Sequence, residues 1–305
     1  MKIHSFNEWD RLKEVIVGRA DYANWPSDDP VFAQEKNKTT WKETPVPSGP
    51  VPQWIIDETN EDLEGLCDIL KQAGVIVHRP TTINFQERKG LYNYCPRDRL
   101  LIAGNQIVDP AMMYPCRDME IEALDFVTQD NKVLKMPRGK ELVLDAANIC
   151  RLGEDWVYLE SYSGSRAAGE WLADKFPDID IWGCDFYSGV HIDSTIVPLR
   201  DGLVMLNAER VKVDQLPGVL DNWEKIWVSD VVAQDFYQYP YASKWIAMNA
   251  LSIDADTVIM DAAQIALINR VEHYGITVIP HRLRHARTLG GGFHCTTLDT
   301  WRENS

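Results

Sequence analysis

The sequence predicts an α/β protein in which five similar strand–helix–strand units are arranged radially about an axis. Five short apolar runs, each closed by a polar or turn residue, predict buried strands. These runs are Glu14–Arg19, Leu100–Gly104, Trp156–Leu159, Leu203–Leu206 and Thr257–Met260. A segment with helical spacing follows each run, and unequal repeats in this order favour radial repetition over an open sheet.

The helices and the closing strands can be placed along the same units. Glu58–Ala73 is the clearest helix, because its leucines and isoleucine share one face and Gly74 supplies the stop. Ala262–Tyr274 is a second helix, and Gly275 ends it in the same way. The expected closing strands are Val75–Val77, Val133–Met136, Ile179–Ile181, Ile226–Val228 and Ile276–Ile279.

A doubly wound sheet is the competing fold. It would normally carry a glycine-rich phosphate turn, and the sequence contains neither G-x-G-x-x-G nor a P-loop. The segment Trp25–Pro52 holds six prolines and is expected to run irregularly over the surface. Because no other break in composition is visible, we expect residues 1–305 to form a single domain.

The composition excludes several classes of protein. The 305 residues include 46 acidic and 31 basic side chains, for a formal charge of -15 at pH 7. This excess of acid argues against a nucleic-acid partner, which needs clustered lysine and arginine, and is compatible with a small cationic substrate. No apolar run approaches the roughly 18 residues of a membrane span, and no signal peptide is visible. We therefore expect a cytoplasmic protein with no membrane partner.

The segment Leu289–Cys295 is the sharpest local signal for chemistry. Three consecutive glycines allow tight turns and a close approach to a ligand, and they place Cys295 at the exit of the loop beside His294. The alternative is a turn with a small buried cysteine. The six cysteines form no Cys-x-x-Cys pair, so neither a zinc ribbon nor a thioredoxin motif is supported.

Three further segments carry candidate polar residues. Alternation at strand period in Gly189–Thr195 predicts that His191 and Asp193 point to one face. Asp145 stands among small residues, and Asp98 follows a proline turn. Taken singly, His191 can be a structural histidine, and the other two acids can be turn or cap residues. Together with Cys295, without metal spacing, the set indicates nucleophilic thiol chemistry on a cationic substrate.

Taken in order, five sequence blocks make the chain resemble the amidinotransferases, a family that includes glycine amidinotransferase and the inosamine-phosphate enzymes of antibiotic synthesis. The blocks are Ser5–Ala20, Gly90–Asp98, Asp145–Ala147, His191–Asp193 and Leu289–Cys295. The resemblance implies the pentein fold, a five-bladed β/α propeller with pseudo-fivefold symmetry, which agrees with the five units.

The resemblance also implies a reaction. Cys295 matches the nucleophile, His191 the acid/base and Asp145 the carboxylate that orients the histidine. The expected activity moves the amidino group of L-arginine to an acceptor amine, glycine by default, through a covalent amidino-Cys295 intermediate, and releases L-ornithine. No metal or organic cofactor is required. Family members are often dimers, so the resemblance raises a homodimer as an expectation.

The resemblance assigns the substrate-binding positions as well. Asp98 and Asp193 match the carboxylates that grip the donor guanidinium, and Arg210 matches a position that can receive a substrate carboxylate. Ala247 stands where glycine-type enzymes carry a substrate-binding serine. Asn148 replaces a second acid near Asp145, so the geometry there is open.

Other departures from the family pattern leave the acceptor and the reaction class open. Val190 stands where glycine-type enzymes carry methionine, and the chain after Cys295 lacks the usual Cys-Trp-Thr continuation. The acceptor can therefore be glycine, lysine, another amino acid or a natural-product amine. A deiminase-like hydrolase with the same thiol site is one alternative, and a non-catalytic pentein binding protein is another.

Overall fold

The computed structural model describes residues 1–26, 28–32, 48–139, 141–189, 191–233 and 242–303. Within them the chain forms five three-stranded sheets and one two-stranded ribbon, Asn24–Trp25 with Gly49–Pro50. The sheets are Thr297–Glu303, Arg11–Val17 and Ile76–His78 (first); Leu101–Ala103, Gln106–Asp109 and Val133–Lys135 (second); Ile149–Arg151, Asp155–Leu159 and Asp180–Cys184 (third); Ile196–Arg200, Leu203–Asn207 and Glu224–Val228 (fourth); Leu251–Asp254, Thr257–Asp261 and Thr277–His281 (fifth).

All five sheets share one topology. The middle strand is antiparallel to the strand named first above, which we call the leading strand, and parallel to the strand named last. In the first sheet the leading strand, Thr297–Glu303, comes from the end of the described chain and pairs with Arg11–Val17 near its beginning. Leading strands of the first and second, third and fourth, and fourth and fifth sheets contact one another, which indicates that the leading strands lie on the inner side of the five units.

The crossovers between the middle and last strands differ in length and type. Gln53–Gln72 buries Ile55, Leu63, Leu66 and Leu70 on one face. The other α-helices are Phe85–Arg88, Pro96–Arg99, Asp125–Thr128, Arg166–Lys175, Ile265–His273 and Ala286–Leu289, and the 3₁₀ segments are Pro115–Leu124, Ala146–Asn148, Val213–Gln215, Gly218–Leu220 and Lys244–Met248. None of these helices combines the length and apolar character that a membrane span requires.

The predicted strands are largely confirmed, with two corrections. In the second unit the run Leu100–Gly104 contains the leading strand, and Gln106–Asp109 is the middle one. A helical crossover was expected in every unit, but the fourth has only two 3₁₀ turns, because Pro217 and Gly218 interrupt any longer helix. Residues 33–47 of the expected excursion, and Val190, lie outside the described residues.

The centre of the molecule is polar rather than apolar. Asp299, on the leading strand of the first sheet, is fully buried and accepts from Arg151, at 2.9 Å, and from Arg302, at 2.5 Å. Arg97 lies 2.5 Å from the other Asp299 oxygen, and Glu8 accepts from Arg151 Nε at 2.8 Å. A buried charge is tolerated only when it is paired. This network therefore joins the chain's N-terminal segment to the second, third and first units.

Candidate active site

Five of the predicted site residues occupy equivalent places in the fold, in the segments directly before the leading strands. Because these strands lie on the inner side of the five units, their preceding loops converge. The loops supply Asp98 before the second sheet, Asp145 before the third, His191 and Asp193 before the fourth, Asn249 before the fifth and Cys295 before the closing strand of the first. Asn249 is the member of this set that the sequence analysis did not single out.

The glycine loop brings Cys295 close to its neighbours. The helix Ala286–Leu289 ends at Gly290, whose φ is 78°. A Cβ on Gly291 would lie 2.5 Å from the Cys95 sulfur, and one on Gly292 would lie 2.5 Å from the Asn249 side chain. The glycine loop thus packs closely against protein groups, and the predicted close approach to a ligand stays a prediction. The Cys295 backbone N–H donates to Asn249 Oδ1 at 3.0 Å, which fixes the nucleophile candidate.

The Cys295 thiol is buried beside a carboxylate. Its Sγ donates to Asp193 Oδ2 at 3.1 Å. The contact with the Cys95 thiol, burial and the Asp193 charge together raise the pKa of Cys295 well above its ordinary value. The thiol is therefore neutral at physiological pH, and it needs a nearby positive charge before it can act as a thiolate.

His191 lies between two carboxylates. Its Nε2 is 3.1 Å from Asp145 Oδ2, and its Nδ1 is 3.7 Å from Asp98 Oδ1. Burial lowers the pKa of His191, but the negative charge of Asp98 and the hydrogen bond to Asp145 outweigh it and raise the pKa to about 9. The ring is therefore an imidazolium at neutral pH and can donate a proton.

The prediction that His191 and Asp193 lie on a strand is wrong. The segment is a loop, and His191 has a positive φ of 58°. The fully buried Ile192 separates the two residues and anchors the loop, while the Thr195 backbone N–H donates to the Ile192 carbonyl at 2.8 Å. Both side chains still reach the cluster, because they flank the same anchor.

Asp145 is held by backbone groups and by the residue that departs from the family pattern. Its Oδ1 accepts from the Met113 N–H at 2.9 Å, and its own N–H donates to the Ser163 carbonyl at 2.7 Å. Asn148 is fully buried, donates to the Leu159 carbonyl at 2.8 Å and accepts from the Ser163 hydroxyl at 2.7 Å. Asn148 thus fixes the turn that holds the Asp145 backbone.

The two oxygens of the Asp98 carboxylate differ in their hydrogen bonds. The short helix Pro96–Arg99 places it, and its Oδ2 accepts from Arg117 Nη1 at 2.8 Å. Its Oδ1 is buried and has no hydrogen-bond partner among the described residues. Burial raises the pKa of Asp98 in spite of the His191 and Arg117 charges. An unsatisfied buried acceptor costs about 1–3 kcal/mol, so a ligand N–H at this oxygen is favourable.

Asp193 is an anion with one oxygen shared by two donors. Oδ2 accepts from the Cys295 thiol at 3.1 Å and lies 2.9 Å from His294 Nδ1. Burial raises the pKa of Asp193, but the hydrogen bond and charge of His294, with the charge of His191, outweigh it and lower the pKa to about 2. Asp193 therefore remains negatively charged next to the Cys295 thiol.

Arg210 and Ala247 lie beside this cluster rather than within it. Arg210 Nη1 donates to Thr195 Oγ1 at 3.1 Å, and its guanidinium lies 5.0 Å from the Tyr187 ring centre. Among the described residues no carboxylate forms an ion pair with it. Ala247 lines a pocket of about 370 Å³ together with Asn249. The structure thus brings Cys295, His191, Asp145, Asp98 and Asp193 together and leaves these two at the margins.

Sequence reasoning missed two residues that hold the cluster, Asn249 and Arg117. Asn249 donates to the Asp193 carbonyl at 3.0 Å as well as holding Cys295. Arg117 fixes Asp98 from 19 positions along the chain, and the sequence carries no signal for that contact. The fivefold repetition itself could have pointed to Asn249, since it stands where the other units carry their site residues. The described residues contain no group of three His, Cys, Asp or Glu side chains suited to a metal ion.

The fold and the cysteine-centred cluster define an enzyme of the pentein fold. The chain is 38% identical to inosamine-phosphate amidinotransferase 1 of Streptomyces griseus, over 97% of this chain and 96% of that one. It is 30% identical to the mitochondrial glycine amidinotransferase of Xenopus laevis, over 99% and 83% respectively. The chain therefore belongs to the amidinotransferase family, as predicted. No protein-family model matches it.

Solved structures give the same fold. A structure of the inosamine-phosphate amidinotransferase from Streptomyces griseus matches with a TM-score of 0.87 at 33% identity, covering 99% of this chain and 97% of that chain. A dimethylarginine dimethylaminohydrolase matches with a TM-score of 0.67 at 14% identity, covering 94% and 99%. The second likeness shows the fold alone. The predicted pentein fold class is confirmed.

Proposed function

We propose that this amidinotransferase takes the amidino group from L-arginine, carries it on Cys295, releases L-ornithine and transfers the group to an acceptor amine. The observation that supports this most is the arrangement around the thiol: Cys295 donates to Asp193, and the His191 imidazolium lies between Asp145 and Asp98. The single domain of residues 1–305 remains part of the proposal, since the loops that form the cluster precede strands in all five units.

The donor is held by two carboxylates. A guanidinium is planar and presents N–H groups in a fork, which suits the unpaired Oδ1 of Asp98 and the carboxylate of Asp193. Each charge-assisted bond contributes about 1.5–3 kcal/mol. The bound cation also lowers the pKa of the Cys295 thiol, whose proton then leaves to solvent. Binding of the substrate thus forms the nucleophile.

The covalent steps follow from the protonation states. The Cys295 thiolate adds to the central guanidinium carbon, and the His191 imidazolium protonates the nitrogen that becomes the ornithine amine. The C–N bond breaks, and an amidino-thioether remains on Cys295. His191, now neutral, removes a proton from the acceptor amine, which adds to the same carbon and expels the thiolate. Because ornithine leaves before the acceptor reacts, the kinetics are ping-pong.

The acceptor is the open part of the proposal. Glycine stays a prediction, because the relative named for inosamine phosphate is more similar, at 38% identity, than the relative named for glycine, at 30%. The pocket beside Ala247 is lined by Lys244 and Arg287 but also by Asp261, and Lys244 lies 2.9 Å from Asp230, so its lining carries charge of both signs. Because of the similarity to the inosamine-phosphate enzyme, a phosphorylated aminocyclitol is the second acceptor that we propose to test.

Product identity tests the proposal. The enzyme is incubated with guanidino-labelled arginine and, separately, with glycine, lysine, an inosamine phosphate and the unphosphorylated inosamine. We expect ornithine and a guanidinylated amine in the presence of the correct acceptor. If citrulline formed equally with and without an acceptor amine, this result would contradict the transferase proposal and favour the hydrolase alternative. Transfer to the phosphorylated but not the unphosphorylated inosamine would support an acceptor site that recognises the phosphate group.

A further inference from the structure

His294 precedes the nucleophile and is clamped by carboxylates at both ring nitrogens. Its Nδ1 lies 2.9 Å from Asp193 Oδ2, and its Nε2 lies 3.1 Å from Glu8 Oε2. The residue is buried, with an exposed fraction of 8%. None of the steps in the proposed reaction uses this histidine, although it touches a residue that contacts the thiol.

Two carboxylates require a donor at each nitrogen. A neutral imidazole carries one N–H and would turn a lone pair toward the second carboxylate, whereas an imidazolium donates from both nitrogens. The charged groups that act on the ring are Asp193, Glu8 and the guanidinium of Arg97. Burial and Arg97 lower the pKa of His294, but Glu8 and Asp193 outweigh them and raise it.

The far end of this clamp is anchored in the polar centre of the fold. Glu8 accepts from Arg151 Nε at 2.8 Å and from Arg151 Nη2 at 2.8 Å, and Arg151 also donates to Asp299. A rigid ion-pair network therefore fixes the position of the His294 ring. Through Nδ1 the ring fixes Asp193 Oδ2, which leaves Asp193 Oδ1 as the oxygen that an incoming guanidinium reaches.

We propose that His294 is a positioning residue: as an imidazolium anchored by Glu8, it holds the Asp193 carboxylate as an anion in the orientation that receives the donor guanidinium. The inference rests on the proposed function, because it concerns the donor site of that reaction. His294 acts through Asp193 and does not itself exchange a proton with the substrate.

Two neutral variants test the proposal. In His294→Asn the side-chain amide lies near the position of Nδ1, toward Asp193. In His294→Gln the amide lies nearer the position of Nε2, toward Glu8. Both remove the positive charge. We expect KM for arginine to rise about tenfold or more, as when a charge-assisted bond is lost, with a smaller change in kcat. The rise should be smaller for Asn than for Gln.

The pH profile separates positioning from a structural effect. Without the imidazolium, the pKa of Asp193 rises from about 2, so the acidic limb of kcat/KM for arginine should move to higher pH in both variants. His78→Asn is the matched control, because His78 lies 2.7 Å from Glu14 in a histidine–carboxylate pair outside the site. It should leave KM and the acidic limb unchanged. Wild-type KM and an unmoved acidic limb in both folded His294 variants would overturn the inference.

A second readout does not depend on turnover. Binding of methylguanidine is measured by calorimetry in the Cys295→Ala background, where no thiol can react. We expect the dissociation constant to rise about tenfold when a His294 substitution is added. If the wild-type enzyme forms neither ornithine nor citrulline, the proposed function fails while this measurement still decides the role of His294. Equal affinity with and without the His294 substitutions would overturn that role.

Discussion

Two histidines belong to the cluster around Cys295, and each lies between two carboxylates. His191 makes one contact of 3.1 Å and one of 3.7 Å, and 15% of its side chain is exposed. His294 makes contacts of 2.9 Å and 3.1 Å, with 10% of its side chain exposed. The partners of His191 lie in the loops of the candidate site, whereas His294 is tied to Glu8 and the central ion-pair network.

This difference in contacts indicates that His191 can lose its proton more readily than His294 can. A histidine with one loose contact can give up its proton without leaving a short buried contact unsatisfied. A histidine held at both nitrogens cannot do so, because deprotonation would set a lone pair against a carboxylate. We therefore propose that His191 acts as a proton donor, whereas His294 supplies a positive charge held by Glu8 and Asp193.

The largest expected effect comes from removing the proton donor. In His191→Asn, kcat for ornithine release should fall about 10³-fold, since general acid catalysis contributes about 10²–10⁴-fold. KM for arginine should change little, because Asp98 and Asp193 remain. The measurement is a comparison of kcat and KM for His191→Asn with those for His294→Asn, because the second variant should raise KM instead. If both variants lowered kcat to the same degree and left KM unaltered, His191 and His294 would not have the different roles proposed here.

A smaller effect is expected at the carboxylate that faces His191 and the donor together. Asp98→Asn keeps the side-chain shape but removes the charge, so arginine binding should weaken about tenfold or more. The check is arginine binding, measured by calorimetry in the Cys295→Ala background, where no adduct can form. Asp118→Asn, which removes a carboxylate 3.1 Å from Arg138, serves as the control and should preserve arginine binding. Unchanged affinity in Asp98→Asn would remove Asp98 from the donor site.

The mildest prediction concerns pH. Asp145 raises the pKa of His191, so Asp145→Asn should lower it from about 9, and the imidazolium should be lost at a lower pH. The basic limb of kcat/KM for arginine should then shift to lower pH by about one unit or more. In the His294 variants it is the acidic limb that should move. A basic limb that stays in place in Asp145→Asn would show that Asp145 does not tune His191.

Four of the five middle strands could be predicted because they are apolar, and burial follows from their composition; in the second unit the apolar run was the leading strand, Leu101–Ala103. The other leading strands were not predicted in this way. Ile149–Arg151 contains a charged residue that is buried only because Glu8 and Asp299, distant in sequence, pair with it. Thr297–Glu303 is polar for the same reason, since Asp299 lies at the centre of the network.

The candidate site shows the same division. Cys295 could be located from its glycine loop, because close packing at Gly291 and Gly292 leaves no room for a side chain. Asn249 and Arg117 are ordinary polar residues, and only the folded chain shows which groups they hold. The orientation of His191 depends on a positive φ that a strand pattern does not predict.

Trapping of the covalent intermediate tests the central claim most directly. The wild-type enzyme is mixed with arginine labelled on the guanidino carbon, without an acceptor, quenched and digested for mass spectrometry. If the amidino group is carried on Cys295, the Cys295 peptide should be labelled and an equal amount of ornithine should form. Both should be absent in Cys295→Ala. Cys184→Ala, which removes a half-buried thiol elsewhere, should retain both. Ornithine release from Cys295→Ala, or turnover without label on Cys295, would contradict the account.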